Sequence, residues 1–260
     1  MKKINKDRIK HKKMNKNLNG LLTLTVIVII WAVLAGTHVF SDYVFPGPGR
    51  VLKAFVSMAG SGELFVNTGI SLLRVVVGFV ISSVLAFFIG TLMVRFPAVD
   101  PYIEPLLEFI RHVPPISLIP LLILWFGIGE PSKLIVIILT AFFPVFMNTT
   151  AGLKGCDRKL IEVGEVLHMS KNDIFIKIRI PAAIPNILVG MKIGLGYSWR
   201  AIVAAEMIAA SRGLGYLILD SQAMSRTDKV FVGIIVIGIL GILMDRLFDR
   251  LIEGSHLNGR

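Results

Sequence analysis

TGISLLRVVVGFVISSVLAFFIGTLMV, residues 68–94, runs for 27 residues with one charged side chain, Arg74. An α-helix crosses the hydrocarbon core of a bilayer with about 20 predominantly apolar residues, and it satisfies its own backbone groups on the way. The run is long enough to span. Four other segments, 21–40, 134–151, 187–210 and 230–247, have the same character. A sixth, 102–127, carries Glu104, Glu108, Arg111 and His112 and then Pro114 and Pro115 before the clean run ISLIPLLILWFG. Composition agrees, with 54% apolar and 17% charged residues among 260 and a mean hydropathy of +0.74. The fold class is all-α integral membrane with about six transmembrane helices, and a soluble globular domain is excluded.

The formal charge of +11 would suggest a nucleic-acid partner in a soluble domain, but in a membrane protein the basic residues sort by side. Six spans put both termini on one side. If that side is cytoplasmic, it collects 18 of the 28 Lys and Arg: eight in MKKINKDRIKHKKMNKN, Arg95, six from Lys154 to Arg179, and Arg246, Arg250 and Arg260. Six lie outside, while Arg74, Arg111, Lys192 and Arg200 fall within spans. The expected location is a bacterial-type cytoplasmic (inner) membrane, multi-pass, with N- and C-termini cytoplasmic, membrane lipid around the spans and no nucleic acid. The first apolar run also has the look of a secretory signal, with a small-residue site at 33–35, but its length favours a retained anchor.

The organisation expected is a basic cytoplasmic tail over 1–19, a first anchor over 20–40, a transmembrane domain over 41–252 with a cytoplasmic loop at 152–186 between spans 4 and 5, and a C-terminal tail over 253–260. Cys156 stands alone, which rules out an intramolecular disulfide and a cysteine zinc site; no metal centre is expected. FPGPGRV, residues 45–51, turns the chain, and 51–58 reads as a short amphipathic helix at the interface.

The loop holds EVGEVLHMSKNDIFIKIRIP, residues 162–181. Leu160, Val163 and Leu167 fall at i, i+3 and i+7, so an amphipathic helix shows Arg158, Glu162 and Glu165 on its other face. Ser170 followed by Asp173 matches a capping box and starts a second short helix, which Pro181 and Pro185 are expected to limit. Ile174, Ile176, Ile178 and Ile180 alternate as a strand would, but an isolated strand would leave its backbone unpaired, and helix is preferred.

The spacing E-A-A, three residues, G, nine residues, I-x-L-P resembles the cytoplasmic signature of permease subunits of ATP-binding cassette (ABC) type I importers. Glu162 stands at the Glu, Val163 and Gly164 at the alanines, and Ile178, Ile180 and Pro181 at the end, while His168 replaces the glycine. The resemblance covers most of 45–252 and is closest to the nitrate, sulfonate and taurine branch. It is carried also by FPGPGRV, by RHVPPISLIPLLILWFGIGEPSK (111–133), by YSWRAIVAAEM (197–207) and by RGLGYLI (212–218).

The resemblance implies a permease of an ATP-driven importer, with Glu162, Val163, Gly164, Glu165, Leu167, His168, Ile178, Ile180 and Pro181 coupling it to a separate ATPase. Gly164 would allow close approach to that subunit, and Glu162 and Glu165 would bond its rim. A glycine at position 168 would suit a positive φ, and His is among the residues that tolerate one. The chain has no phosphate-cradling loop of its own. No cofactor is expected on this chain, ATP and Mg belonging to the partner. The other implied partners are a second permease copy, as a homodimer, and an extracytoplasmic solute-binding protein. The solute implied is small and anionic, such as a sulfonate, taurine or nitrate, with a vitamin precursor as the alternative.

Arg111, Pro114, Pro115, Arg200, Glu206, Gly213 and Gly215 are the candidates for path or gate. Charged groups inside spans face a bundle interior or water, and irregular backbone such as that at Pro114 and Pro115 is tolerable only where it is buried or lines a cavity. Arg200 and Glu206 lie about 240° apart around a helix and so need partners elsewhere. For Glu206 these are the adjoining Gly-Leu-Gly turn, a second protomer or Arg74; Arg200 either lines an anion path or closes a structural ion pair. Lys192 is expected to snorkel to the interface, His112 to bond a helix end, and Gly213 and Gly215 to end a helix or form a gate. A stand-alone secondary transporter would work without ATP, and a membrane enzyme would need a metal or nucleophile motif that is absent from the sequence.

Overall fold

A computed structural model describes residue 20, residues 22–37, residue 39 and residues 41–254. The expected basic tail at 1–19 and all but the first two residues of the C-terminal tail lie outside the described residues. Every regular element among the described residues is helical. In chain order these are α1 (Leu22–Gly36), α2 (Pro48–Gly60), α3 (Glu63–Arg95), α4 (Asp100–His112), α5 (Ile119–Phe126), α6 (Glu130–Lys154), α7 (Arg158–Val166), α8 (Lys171–Ile174), α9 (Ile180–Ala209), α10 (Leu214–Ala223) and α11 (Thr227–Gly254).

Four helical runs are long and apolar enough to cross a bilayer: Glu63–Arg95, Glu130–Lys154, Lys171–Ala209 and Thr227–Ile252. The pair Pro97–His112 and Pro115–Phe126, bent by 86°, makes a fifth if it is one span. α1 is apolar but shorter than the ~20 residues of a straight crossing. The bend falls where the sequence places it, since Pro114 and Pro115 withhold two donors and Val113 is extended at φ −84°, ψ 116°.

The described residues divide into two compact units, one of those up to Ser61 with Asp220–Val232, the other of Gly62–Leu219 with those from Gly233 onward. In the first, Trp31 stacks on Phe231 at 5.6 Å and Phe45 meets the same ring edge-on at 5.9 Å. Trp31 Nε1 donates to Pro46 O at 3.1 Å, which holds the FPGPG turn. α2 buries Val51, Ala54 and Met58, spaced i, i+3 and i+7 on one face of the helix.

In the second unit α6 packs along both α9 and α3. Small residues allow this, because lipid supplies no hydrophobic drive between helices and close packing must do the work. A Cβ on Gly190 would stand 2.6 Å from Asn148 Cβ and 2.8 Å from Pro144 O, and one on Gly194 would stand 3.1 Å from Ala141 O. Ile119, Leu122, Val136, Ala201, Ala205 and Ala209 form one buried cluster of α5, α6 and α9.

Pro181 and Pro185 do not limit the loop's second helix, contrary to expectation. From Lys171 the helix runs unbroken for 39 residues to Ala209. A π-turn at Phe175–Arg179 precedes Pro181; its i→i+5 bonding shifts the register just where the proline removes a donor, so the backbone continues. The alternating isoleucines are helical, with Ile174 buried and Ile176 exposed.

Candidate functional site

The loop at 152–186 is built as two helices joined by a tight turn. Asp157 caps α7, its Oδ1 accepting from Lys159 N at 3.0 Å. Ser170 caps the second helix: its Oγ accepts from Asp173 N at 3.1 Å and donates to Asp173 Oδ2 at 2.6 Å. Between them His168 has φ +54°, and Met169 N donates to Gly164 O at 3.0 Å across the turn. This is the left-handed helix ending that glycine usually makes.

Gly164 is the buried residue of α7, and its neighbours are in the chain itself. A Cβ there would lie 2.8 Å from Ile178 Cδ1 and 3.0 Å from Ile174 Cγ1. The close approach expected towards another subunit is therefore used to seat α7 on its own following helix. Ile180 packs on the buried Val94, Leu153, Phe175 and Ala183, and Pro181 is exposed. That leaves Leu160, Val163 and Leu167 facing outward at 48%, 55% and 68% exposure. Beside them Glu162 is exposed and paired with Arg158 at 3.2 Å, and Glu165 is exposed.

A second constellation lies at the opposite end of α9. Arg74 Nη1 donates to Glu206 Oε1 at 2.7 Å, while Nε and Nη2 donate to Glu130 at 2.7 and 2.5 Å. Lys133 reaches Glu130 Oε1 at 3.0 Å. Glu206 is 1% exposed and also receives Ser71 Oγ at 2.8 Å and Gly215 N at 3.0 Å. Ser71 Oγ in turn accepts from Leu214 N at 2.9 Å, Asn67 Oδ1 accepts from Gly213 N at 2.7 Å, and Arg212 O accepts from Arg74 Nη1 at 2.7 Å. Gly213 has φ +123°, and any side chain there would run into the Glu206 carboxylate. Glu206 thus meets two of the three partners expected for it, Arg74 and the Gly-Leu-Gly turn.

Arg212–Leu214 is in this way bolted to α3 and α9 by a hydrogen-bonded ion network whose core, Arg74 and Glu206, is buried; such charges are tolerated when they are paired and bonded. Gly213 follows the end of α9 and Gly215 lies within α10. Sequence reading missed Asn67, Ser71, Glu130 and Lys133. The signal was there: Asn67, Ser71 and Arg74 form an i, i+4, i+7 polar stripe on an otherwise apolar helix.

The other path candidates are dispersed. Arg111 is exposed, 3.6 Å from Glu108. With Glu104, Glu108, Met147 and Lys154 it lines a cavity of about 230 Å³ between α4 and α6, on the N-terminal side of the Pro114 break. His112 Nδ1 bonds Glu108 O at 2.7 Å, as a helix-end group. Arg200 forms no ion pair among the described residues; its guanidinium sits 5.9 Å from the Tyr197 ring centroid, and a groove of about 310 Å³ contains both it and Asp245. Lys192 pairs with Asp249 of α11 at 2.6 Å, both side chains half-exposed.

Helices long and apolar enough to span, one bent helix pair, a hydrogen-bonded ion network at one end of α9 and a two-helix loop at the other define a multi-pass helical membrane protein. Residues 78–254 match the family of binding-protein-dependent transport system inner membrane components, and the chain belongs to that family. It is similar to a putative aliphatic sulfonates transport permease protein of Bacillus subtilis, 42% identical over 94% of this chain and 88% of that protein. It also resembles the taurine transport system permease protein of Escherichia coli, 35% identical over 86% and 83%. The nitrate import permease protein of Synechocystis is 31% identical over 89% and 86%. The chain is thus a permease subunit of an ABC importer in the sulfonate, taurine and nitrate branch, a multi-pass protein of the inner membrane and a transport subunit.

Proposed function

We propose that this permease carries a small anionic solute of the sulfonate, taurine or nitrate kind, and that its 152–186 loop is the seat of a separate ATPase. The observation that carries the second half is the outer face of α7. Leu160, Val163 and Leu167 are exposed on a capped helix whose Gly164 already fixes it to the chain. An apolar row with an acidic rim, Glu162 and Glu165, suits a cleft whose edge offers donors. Val163, Leu167 and the two glutamates are then contact residues, while Gly164, His168, Ile178, Ile180 and Pro181 shape the loop.

ATP and Mg bind the partner, a second permease copy completes the path as a homodimer, and an extracytoplasmic binding protein delivers the solute. The loop and both termini face the cytoplasm, which the distribution of Lys and Arg supports. Pro114 and Pro115, with Arg111, shape the inner part of the path, and Arg200 supplies a cation to it. The Glu206 cluster with Gly213 and Gly215 acts as the outer gate.

The test is co-expression with the importer ATPase encoded nearest to this chain. The wild type is expected to co-purify with it and to drive ATP-dependent uptake of an aliphatic sulfonate. Val163→Glu with Leu167→Asp is expected to abolish both while the permease remains folded in the membrane. Association and uptake unchanged in that variant would refute the seat, and uptake without ATPase would refute the coupling.

A further inference from the structure

A crevice of about 310 Å³ opens where the apolar run of α3 ends at Arg95, between it, α7 and the start of the Lys171 helix. Three walls enclose it. Val94, Arg95 and Pro97 form one, Ile161 and Glu165 of α7 the second, and Lys171, Ile174, Phe175 and Arg179 the third. Three cations thus face one carboxylate.

Arg95 is held in place by a hydrogen bond to Asn172 and by the Phe96 and Phe175 rings, whose centroids lie 5.4 and 5.9 Å from its guanidinium carbon. Lys171 and Arg179 have no ion-pair partner among the described residues; the carboxylate nearest in sequence, Asp173, is taken by Lys177 at 2.6 Å.

The backbone presents the third wall in an unusual way. Lys171, Phe175 and Arg179 are spaced i, i+4 and i+8, and in a plain α-helix such a row drifts by about 80° around the axis. The π-turn at Phe175–Arg179 has more residues per turn, so its four-residue step falls short of a full circle and reverses the drift. Both cations are brought back to one face with the phenyl ring between them. Single π-turns of this kind recur at functional sites.

We infer that this crevice binds a tetrahedral oxyanion. Arg95 and Arg179 offer paired donors that match its oxygens, and Lys171 adds a point charge. Two sources share this chemistry: the phosphodiester headgroup of an anionic lipid, with its chains along Val94 and the α3 surface, and a free phosphate or sulfonate. Basic pockets between spans at a membrane boundary suit the first.

The full permease–ATPase complex is reconstituted in nanodiscs of phosphatidylcholine with and without phosphatidylglycerol, and bound lipid is counted by native mass spectrometry. The wild type is expected to retain phosphatidylglycerol over phosphatidylcholine, or to bind inorganic phosphate or 2-aminoethanesulfonate in the purely neutral bilayer. The first result assigns the site to lipid and the second to a free anion. Lys171→Ala with Arg179→Ala is expected to lower the retained ligand about tenfold, and Lys159→Ala, which removes an exposed cation of α7 outside the crevice, to leave it unchanged. Equal retention by the double variant and the wild type, loss in Lys159→Ala to the same degree, or no oxyanion bound in either bilayer would overturn the inference.

Discussion

Glu206 shows what one carboxylate costs and what makes it tolerable. Removing a single partner from a buried pair leaves an uncompensated charge and destabilises by about 3–5 kcal/mol, whereas losing one hydrogen bond to a charged group, such as that from Ser71 Oγ to Glu206, costs about 1.5–3 kcal/mol. Arg74→Met, which removes the cation facing Glu206, is therefore expected to lower the melting temperature of the detergent-purified protein more than Ser71→Ala. Equal shifts would show that the network does not hold the Gly-Leu-Gly turn. At the other end of α9, His168 at φ +54° pays a left-handed penalty of roughly 1 kcal/mol that glycine avoids. His168→Gly should thus keep uptake and ATPase association intact, and His168→Val should impair them; reduced coupling in the glycine variant would mean that the imidazole has work of its own. The capping box at Ser170 and Asp173, with the glycine position that the family resemblance puts at 168, placed this turn in the sequence. No such sign marked Glu130, whose side chain is 57% exposed and which joins Arg74 only through the fold.

Among elements, the loop and the α6–α9 pair rest on contacts closer than a methyl group permits. Gly164→Leu is expected to lift α7 from Ile174 and Ile178 and to cut ATPase association at least tenfold, read by co-purification, while the helical circular dichroism is unchanged. Retained association would mean that α7 does not need this seat. Gly190→Leu should instead reduce the amount of folded protein extracted from membranes, since it opposes Asn148 and the Pro144 carbonyl inside the bundle; full yield would contradict that packing. Such contacts explain why element existence was legible and element length was not. Periodicity and capping located α7 and the start of α8 at Ser170, yet the rule that proline ends a helix failed at Pro181, because a π-turn absorbs the lost donor and periodicity carries no trace of it.

For the whole molecule, apolar length decided the class and the Lys and Arg distribution suggested the sides. The intramembrane charges were visible as residues but their partners were not, since Lys192 finds Asp249 57 positions away and Arg74 finds Glu206 132 away. Separation of that order is set by how the helices pack and leaves no local mark. The distribution of sides has its own check: a cysteine placed at Lys159 in a Cys156→Ser background is expected to react with a membrane-impermeant maleimide only in inverted vesicles, and labelling in intact cells would reverse the topology. The unbroken Lys171–Ala209 run has one more consequence. At 1.5 Å per residue it is a rod of about 58 Å, roughly twice the hydrocarbon thickness. Tilting such a lever by about 5° about its Lys171 end sweeps the Ala209 end through about 5 Å, so a tilt that small is geometrically enough to pull Glu206 out of reach of Arg74.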